Sequence, residues 1–349
     1  MKERPRVTVL MSAYNAEQFV GEAVESVLGQ TFDDFEFLIF EDKSRDMTLQ
    51  VLRSYADRRI RLVENRENRG LTKNLVTGME MARGEFVARM DADDVCMPER
   101  LAAQVGHMDQ HPDISVLGSA VTFFTEAGKQ FVAHQPLEHE EIKCALFYGF
   151  SMLHPTVMSR RADLERHGLN YDPAFPVSQD HDLWTRAIRE VHFANLHDSL
   201  VQMREHEGKI GRTRKPLQQE LSNSIRQRQF EELELDVTAQ ELKIFGEHET
   251  SGIQWTRDDV QLFEALLFKV FEANNAFSVF DQRTLVKMGV SHFRGACRQM
   301  LIEGNLAGRY YWCSRLKNAD HLSLREFIGL SFHSFGLGRV NSKLRLAGD

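Results

Sequence analysis

Three aspartates within four residues, Asp91, Asp93 and Asp94, close a short apolar run over residues 86–90. Carboxylates this close repel one another unless a cation or strong donors sit among them. Hard oxygen ligands at a strand end suit Mg²⁺ or Mn²⁺, ions that also grip diphosphates. The same residues equally fit a solvated acidic turn capping a helix that begins near Pro98, and the triplet alone does not separate the two readings. Lys73 falls early in a helical segment, where a helix N-terminus also favours anions; it pairs with a phosphate or stays solvated. Ser178, Asp180 and Asp182 open another helical segment, 179–189, and capping plus the helix dipole accounts for them without invoking chemistry.

The elements that must position these residues alternate between strand and helix. Strand signals fall at 7–11, 35–40, 60–63 and 86–90, with helical spacing at 16–28, 48–56 and 71–82 between them. Asn15 offers an N-cap for the first helix, and Gly84 offers a C-cap for the third. Such alternation predicts an α/β fold with a mostly parallel central sheet and right-handed crossovers, whose ligands sit beyond the carboxyl ends of the strands. Those ends carry residues 12–15, 41–44, 65–70 and 91–94, so every strand delivers polar residues to one edge. Residues 114–205 are mixed, with strand signals at 114–124, 156–158 and 200–204 and a helix at 183–190. After Pro216 the texture is helical, over 217–233, 258–274, 280–288 and 292–303. The break at 211–216 divides the chain into expected domains 1–212 and 213–349.

Bulk properties narrow the function. A net charge of −8 over 349 residues argues against broad nucleic-acid binding. Cys96, Cys144, Cys297 and Cys313 are far apart and form no C-x-x-C pair, which favours reduced thiols. The start carries no apolar signal region, and no uncharged apolar stretch is long enough to span a bilayer. The expected location is cytoplasmic, with peripheral attachment at the inner membrane face as the alternative. Near the C-terminus Arg309, Arg315, Lys317, Arg325, Arg339, Lys343 and Arg345 mix with Tyr310, Tyr311, Trp312, Phe327, Phe332 and Phe335. Three readings stay open there: helix packing with a solvated basic face, contact with an anionic membrane surface, or a homodimer contact.

The chain resembles the family 2 glycosyltransferases, which have the GT-A fold, over about residues 5–210. Five blocks match in order: VTVLMSAYNAEQF from Val7; FEFLIFEDKSRD from Phe35; NRGLTKNLVTGMEMARGEFVARMDADD from Asn68; HPTVM from His154; and QDHDLW from Gln179, followed by Arg204-Glu205-His206. Two positions depart from the pattern. The second loop opens Glu41-Asp42 where the family usually has Asp-Asp, and the closing segment reads Gln179-Asp180 where the family usually has Glu-Asp.

The resemblance implies a metal-dependent, inverting transfer of a sugar from a nucleotide-diphosphate sugar to an acceptor hydroxyl. Family prevalence makes a UDP-sugar the default donor. The acceptor is a carbohydrate or a lipid-linked molecule, as in bacterial cell-surface polysaccharide synthesis. By the same resemblance Asp93 is the direct ligand of Mn²⁺ or Mg²⁺, and Asp91 holds the ribose or the metal. Ser12, Tyr14, Glu17, Asp42, Lys73 and Arg204 bind the donor, with Asp42 reading the base, although Asp42 and Ser44 also suit an Asx-type turn. Asp180 is the general base, with His181 and Asp182 as helpers. Two rivals remain: a catalytically silent nucleotide-sugar-binding protein on the same fold, and a sugar nucleotidyltransferase. The second is disfavoured because residues 12–17 contain no glycine.

Overall fold

In the computed structural model the described residues are 4–125, 127–149, 152–206, 215–248 and 255–319. The described residues of 1–146 and 150–222 form one compact unit, and the described residues of 147–149 and 223–319 form the other. Of the break expected at 211–216, residues 211–214 lie outside the described residues.

The first unit is built on a nine-stranded sheet ordered β3-β2-β1-β4-β8-β6-β9-β5, with β7 pairing β6. Its strands are Val7–Ala13 (β1), Phe35–Glu41 (β2), Ile60–Glu64 (β3), Phe86–Asp91 (β4), Val95–Cys96 (β5), Ile114–Phe124 (β6), Gln130–Ala133 (β7), Met158–Arg160 (β8) and His192–Arg204 (β9). β1 pairs in parallel with β2 and β4, β2 with β3, and β6 with β9. The short β8 is antiparallel to both β4 and β6, so those two run the same way and the sheet keeps one carboxyl edge. The helices are Val20–Leu28 (α1), Thr48–Arg53 (α2), Leu71–Met81 (α3), Arg100–Gln110 (α4), His139–Tyr148 (α5), Arg161–Arg166 (α6) and Gln179–Ala187 (α7).

Alternation along β1 explains the two-sided core. Val7, Val9, Met11 and Ala13 pack with α1 and α4 residues such as Val24 and Leu101. Leu10 faces the other way, with Leu75, Met79, Leu183 and Trp184 from α3 and α7. Strand β2 is buried along its whole length, and its Glu36 is held there by the Thr8 hydroxyl and Arg61.

Several local expectations change. Helix α1 starts at Val20, not beside Asn15. Asn15 takes a left-handed φ of 49° and spends its side chain on Arg45 N–H, 2.9 Å away. Helix α3 ends at Met81, and Gly84 caps nothing; a Cβ there would lie 2.4 Å from Thr8 N, so the strand entry needs glycine for close backbone approach. The strand expected at 156–158 lies at 158–160 as β8, after a 3-10 turn over 154–156, and β9 extends from His192, well before the expected residue 200.

The second unit is helical: the end of Lys215–Glu231 (α8), then Ala239–Glu247 (α9), Arg257–Phe277 (α10) and Gln282–Ile302 (α11). Capping boxes at Thr238/Glu241 and Thr256/Asp259 start α9 and α10. α11 is one helix where two were expected. Buried Phe147, Phe230, Phe245 and Phe263 form its aromatic core. In the basic and aromatic stretch, Tyr311 is buried, Tyr310 donates to Glu264 at 2.8 Å and Arg315 lies over the Phe268 ring. Those residues are engaged in packing. Arg325, Arg339, Lys343, Arg345, Phe327, Phe332 and Phe335 lie outside the described residues. Among the described residues no helix is long and apolar enough to cross a membrane.

Candidate active site

Register brings the candidate residues to one edge. Ser12 stands opposite Asp91 across β1 and β4, and Ala13 stands opposite Glu41 across β1 and β2. Asp42, just past β2, is almost fully buried. Its Oδ1 accepts from Asn65 Nδ2 at 2.8 Å and Arg69 N at 2.9 Å, and its Oδ2 accepts from Gly70 N at 2.9 Å. Asn65 also donates to Asn74 Oδ1, and Asn74 donates to Ser12 Oγ. A polar chain thus runs from Asp42 through Asn65 and Asn74 to Ser12, across the ends of three strands and the face of α3. The Asx-type turn expected of Asp42 belongs to its neighbour: Glu41 folds back to accept from Lys43 N and Ser44 N, a reach its extra methylene allows.

Tyr14 and Lys73 are both exposed at this edge, Lys73 on the first turn of α3. Glu17 is turned onto the neighbouring loop, where its Oε2 accepts from Met47 N at 2.7 Å.

At the end of β4, one carboxylate oxygen from each of Asp91, Asp93 and Asp94 lies within 4.8 Å of the others. Their partners differ. Asp94 is buried and accepts from Arg204 N, tying the cluster to the end of β9. Asp93 Oδ2 lies 2.8 Å from His206 Nε2. Asp91 Oδ1 accepts from Arg89 Nη2 at 2.5 Å. Clustered carboxylate oxygens are a donor set that fits Mn²⁺ or Mg²⁺. Arg204, expected to meet a diphosphate, spends its guanidinium on Glu22 and on the Asp93 carbonyl, between the rings of Phe19 and Phe124. It anchors the acidic loop.

Asp180 sits in the first turn of α7 and accepts from His181 N at 2.9 Å. Ser178 does not cap this helix. It adopts a left-handed φ of 59°, and its hydroxyl pairs with Ser222 at 3.0 Å. Burial pushes the Asp180 carboxyl up to about 6; the His181 N–H and Arg89 pull it down, and Asp91 pushes it up. Asp180 therefore lies within the electrostatic reach of Arg89 and Asp91, nearly ninety residues away in sequence. Of its expected helpers, Asp182 is fully buried and paired with Arg186 at 2.7 Å, and His181 is buried in the core.

Sequence reasoning missed Arg89, the Tyr171 partner of His154, and Asn74. Arg89 is buried on the β4 face shared with Asp91. His154 Nε2 and Tyr171 OH are 2.7 Å apart. Burial, then the Arg89 charge, holds His154 well below its ordinary value, and burial raises Tyr171, so both are neutral near pH 7. A cation inside an apolar strand run was the visible signal for Arg89. A separate cavity opens at the amino ends of β6 and β9, beside Asp163, His167 and His192; none of the expected site residues lines it.

A mostly parallel sheet with an acidic cluster at the end of its fourth strand, plus a helical C-terminal region, is a GT-A-like fold. The sequence model of glycosyl transferase family 2 matches residues 8–168. An uncharacterized glycosyltransferase of Haemophilus influenzae is 31% identical over 218 residues, covering 59% of this chain and 67% of the relative. The amylovoran biosynthesis glycosyltransferase AmsE of Erwinia amylovora is 30% identical over 212 residues, 59% of this chain and 79% of the relative. The structure of S. aureus TarS 1–349 in complex with UDP-GlcNAc matches with a TM-score of 0.54 at 18% identity, covering 95% of this chain and 92% of that one. The chain belongs to glycosyltransferase family 2, and it is a transferase.

Proposed function

We propose that this enzyme transfers a sugar from a nucleotide-diphosphate sugar, with UDP-sugars as the first donors to test, to an acceptor hydroxyl with inversion at the anomeric carbon. The reading rests on the influence that Arg89 and Asp91 exert on the Asp180 carboxyl, together with the carboxylate cluster at the end of β4. A base and a diphosphate site must face each other across the reacting carbon, and in this reading Asp180 and the cluster take those two roles.

Asp180 takes the proton of the acceptor hydroxyl. The acceptor oxygen bonds to the anomeric carbon as the bond from that carbon to the phosphate oxygen breaks, and the nucleoside diphosphate leaves. A single displacement of this kind inverts the centre. A carboxyl held near 6 is mostly ionised at neutral pH yet basic enough to accept a proton in the transition state. Gln179, buried and neutral beside it, adds no second charge to push it higher.

Asp93 and Asp91, with His206 against Asp93, would hold Mn²⁺ or Mg²⁺, which supplies charge neutralisation to the departing diphosphate. The acidic loop keeps its place through Asp94 and Arg204. Tyr14, Lys73 and Ser12 lie where the donor binds. Asp42 supports that surface by fixing residues 65–70, and Glu17 does the same for residues 46–47. TarS carries UDP-GlcNAc and AmsE is named for amylovoran biosynthesis, which supports a UDP-sugar donor and a role in cell-surface polysaccharide synthesis.

The test uses the full chain with Mn²⁺ and a panel of UDP-, GDP- and dTDP-sugars, reading nucleotide release. Slow release from one nucleotide class, abolished by Asp93→Ala, is expected. Donor binding without release, with Asp180→Ala indistinguishable from wild type once an acceptor is present, rejects the enzymatic assignment of Asp180.

A further inference from the structure

Arg89 is unusual on physical grounds. It is a cation 3% exposed in the middle of β4, and burying a charge is costly unless its bonds are completed. Among the described residues one nitrogen of its guanidinium has an acceptor: Nη2 donates to Asp91 Oδ1. Nε and Nη1 have no protein acceptor among the described residues, and neither does Trp184 Nε1. Arg89 and Trp184 line the same small void with Tyr171 and Ser159, with room for about one water molecule. The Tyr171 and Trp184 rings that line it lie 6.5 Å apart, centroid to centroid, and His154 lies 6.4 Å from Trp184. At 3% exposure Arg89 is closed off from a substrate.

We propose that Arg89 is a positioning residue of the transfer site: from its buried place in β4 it holds Asp91 Oδ1 and so fixes the orientation of the carboxylate that meets the diphosphate-binding cation. Groups that orient a metal-binding carboxylate from behind typically change metal affinity by about 10–100-fold when removed. Lysine can keep the charge, but it lacks the planar fork that fixes Asp91 in one orientation.

The inference rests on Asp91 and Asp93 forming the cation site, and the test separates the two ideas. Mn²⁺ alone is titrated into the full chain, and the free ion is followed by its electron paramagnetic resonance signal. Wild type takes up Mn²⁺ and Asp93→Ala does not. Arg89→Met weakens uptake by about tenfold or more, and Arg89→Lys weakens it less. For Arg89→Lys, the Mn²⁺ concentration giving half-maximal nucleotide release rises, while kcat returns towards wild type at saturating Mn²⁺. Folding is checked by circular dichroism. If Arg89→Met fails to fold, Arg89→Lys decides. Wild-type or tighter Mn²⁺ affinity in a folded Arg89 variant overturns the proposal, tighter binding meaning that Arg89 only repels the ion. No uptake by wild type, or full uptake by Asp93→Ala, removes the cation site itself and Arg89's role with it.

Discussion

Replacing Asp180 with asparagine should cost the enzyme its base and stabilise the fold, and the second effect has a definite size and pH dependence. Asparagine is the same shape and keeps an acceptor for the His181 N–H. What it removes is a carboxylate that burial raises from an ordinary 3.8 to about 6. A carboxyl raised on folding favours the native state while protonated, and that contribution is lost as pH climbs through the folded value. Asp180 is half-buried, so above pH 7 the wild type carries a penalty for ionising it in place of at most about 3 kcal/mol. At pH 5 about half of it remains, and below pH 4 essentially none. The variant never bears this penalty. In metal-free buffer at constant ionic strength, Asp180→Asn should melt about 5–10 °C above wild type at pH 7.5. The gap should narrow by about half at pH 5. Nucleotide release in the presence of acceptor should fall by a hundredfold or more, on the order of a lost general base. Equal melting temperatures at pH 7.5, or a gap that does not shrink towards pH 5, would refute the claim that Asp180 is a desolvated, raised carboxylate.

Other expectations follow from particular contacts. The wild-type pH profile of kcat/KM should have an acid limb with its midpoint near 6, and Asp180→Asn should lack it. His206→Ala frees Asp93 Oδ2 and should raise the Mn²⁺ requirement about tenfold while leaving thermal stability nearly unchanged, as a metal titration of nucleotide release would show. Asn74→Leu cuts the chain joining Ser12, Asn65 and Asp42; we expect a loss of about 1–3 kcal/mol in urea unfolding and a raised donor KM with less effect on kcat. Gly84→Ala forces a methyl to 2.4 Å from Thr8 N and 2.6 Å from Phe86 O, and should cost at least about 1–3 kcal/mol by the same measurement. Gly106→Ala, inside α4 with open space around it, should be neutral or stabilise by up to about 1 kcal/mol.

The first half of the fold was legible because β1, β2 and β4 are buried on both faces and the helices between them are amphipathic, so period and composition agree. The misreadings have local causes. Asn15 looked like a cap because asparagine suits caps and left-handed loop positions alike, and only the neighbouring loop at 44–45 decides between them. Gly84 looked like a helix stop because the sequence cannot show Thr8 pressing against it from β1. The early part of β9 was hidden by polar residues and by its register shifts against β6. In the site, the carboxylates were visible as types and spacings. Their partners were not: Asn74 to Ser12, His206 to Asp93 and Tyr171 to His154 are contacts that only the folded chain makes.

The polar chain from Ser12 through Asn74 and Asn65 to Asp42 has an evolutionary consequence. Each link satisfies a neighbour from a different segment, so no single one can be exchanged without stranding another. If the donor lies on this ledge as proposed, donor preference would vary through what projects from it, at Tyr14 and Lys73, while the ledge stays fixed. Swapping those two exposed side chains would then shift nucleotide-sugar preference at little structural risk.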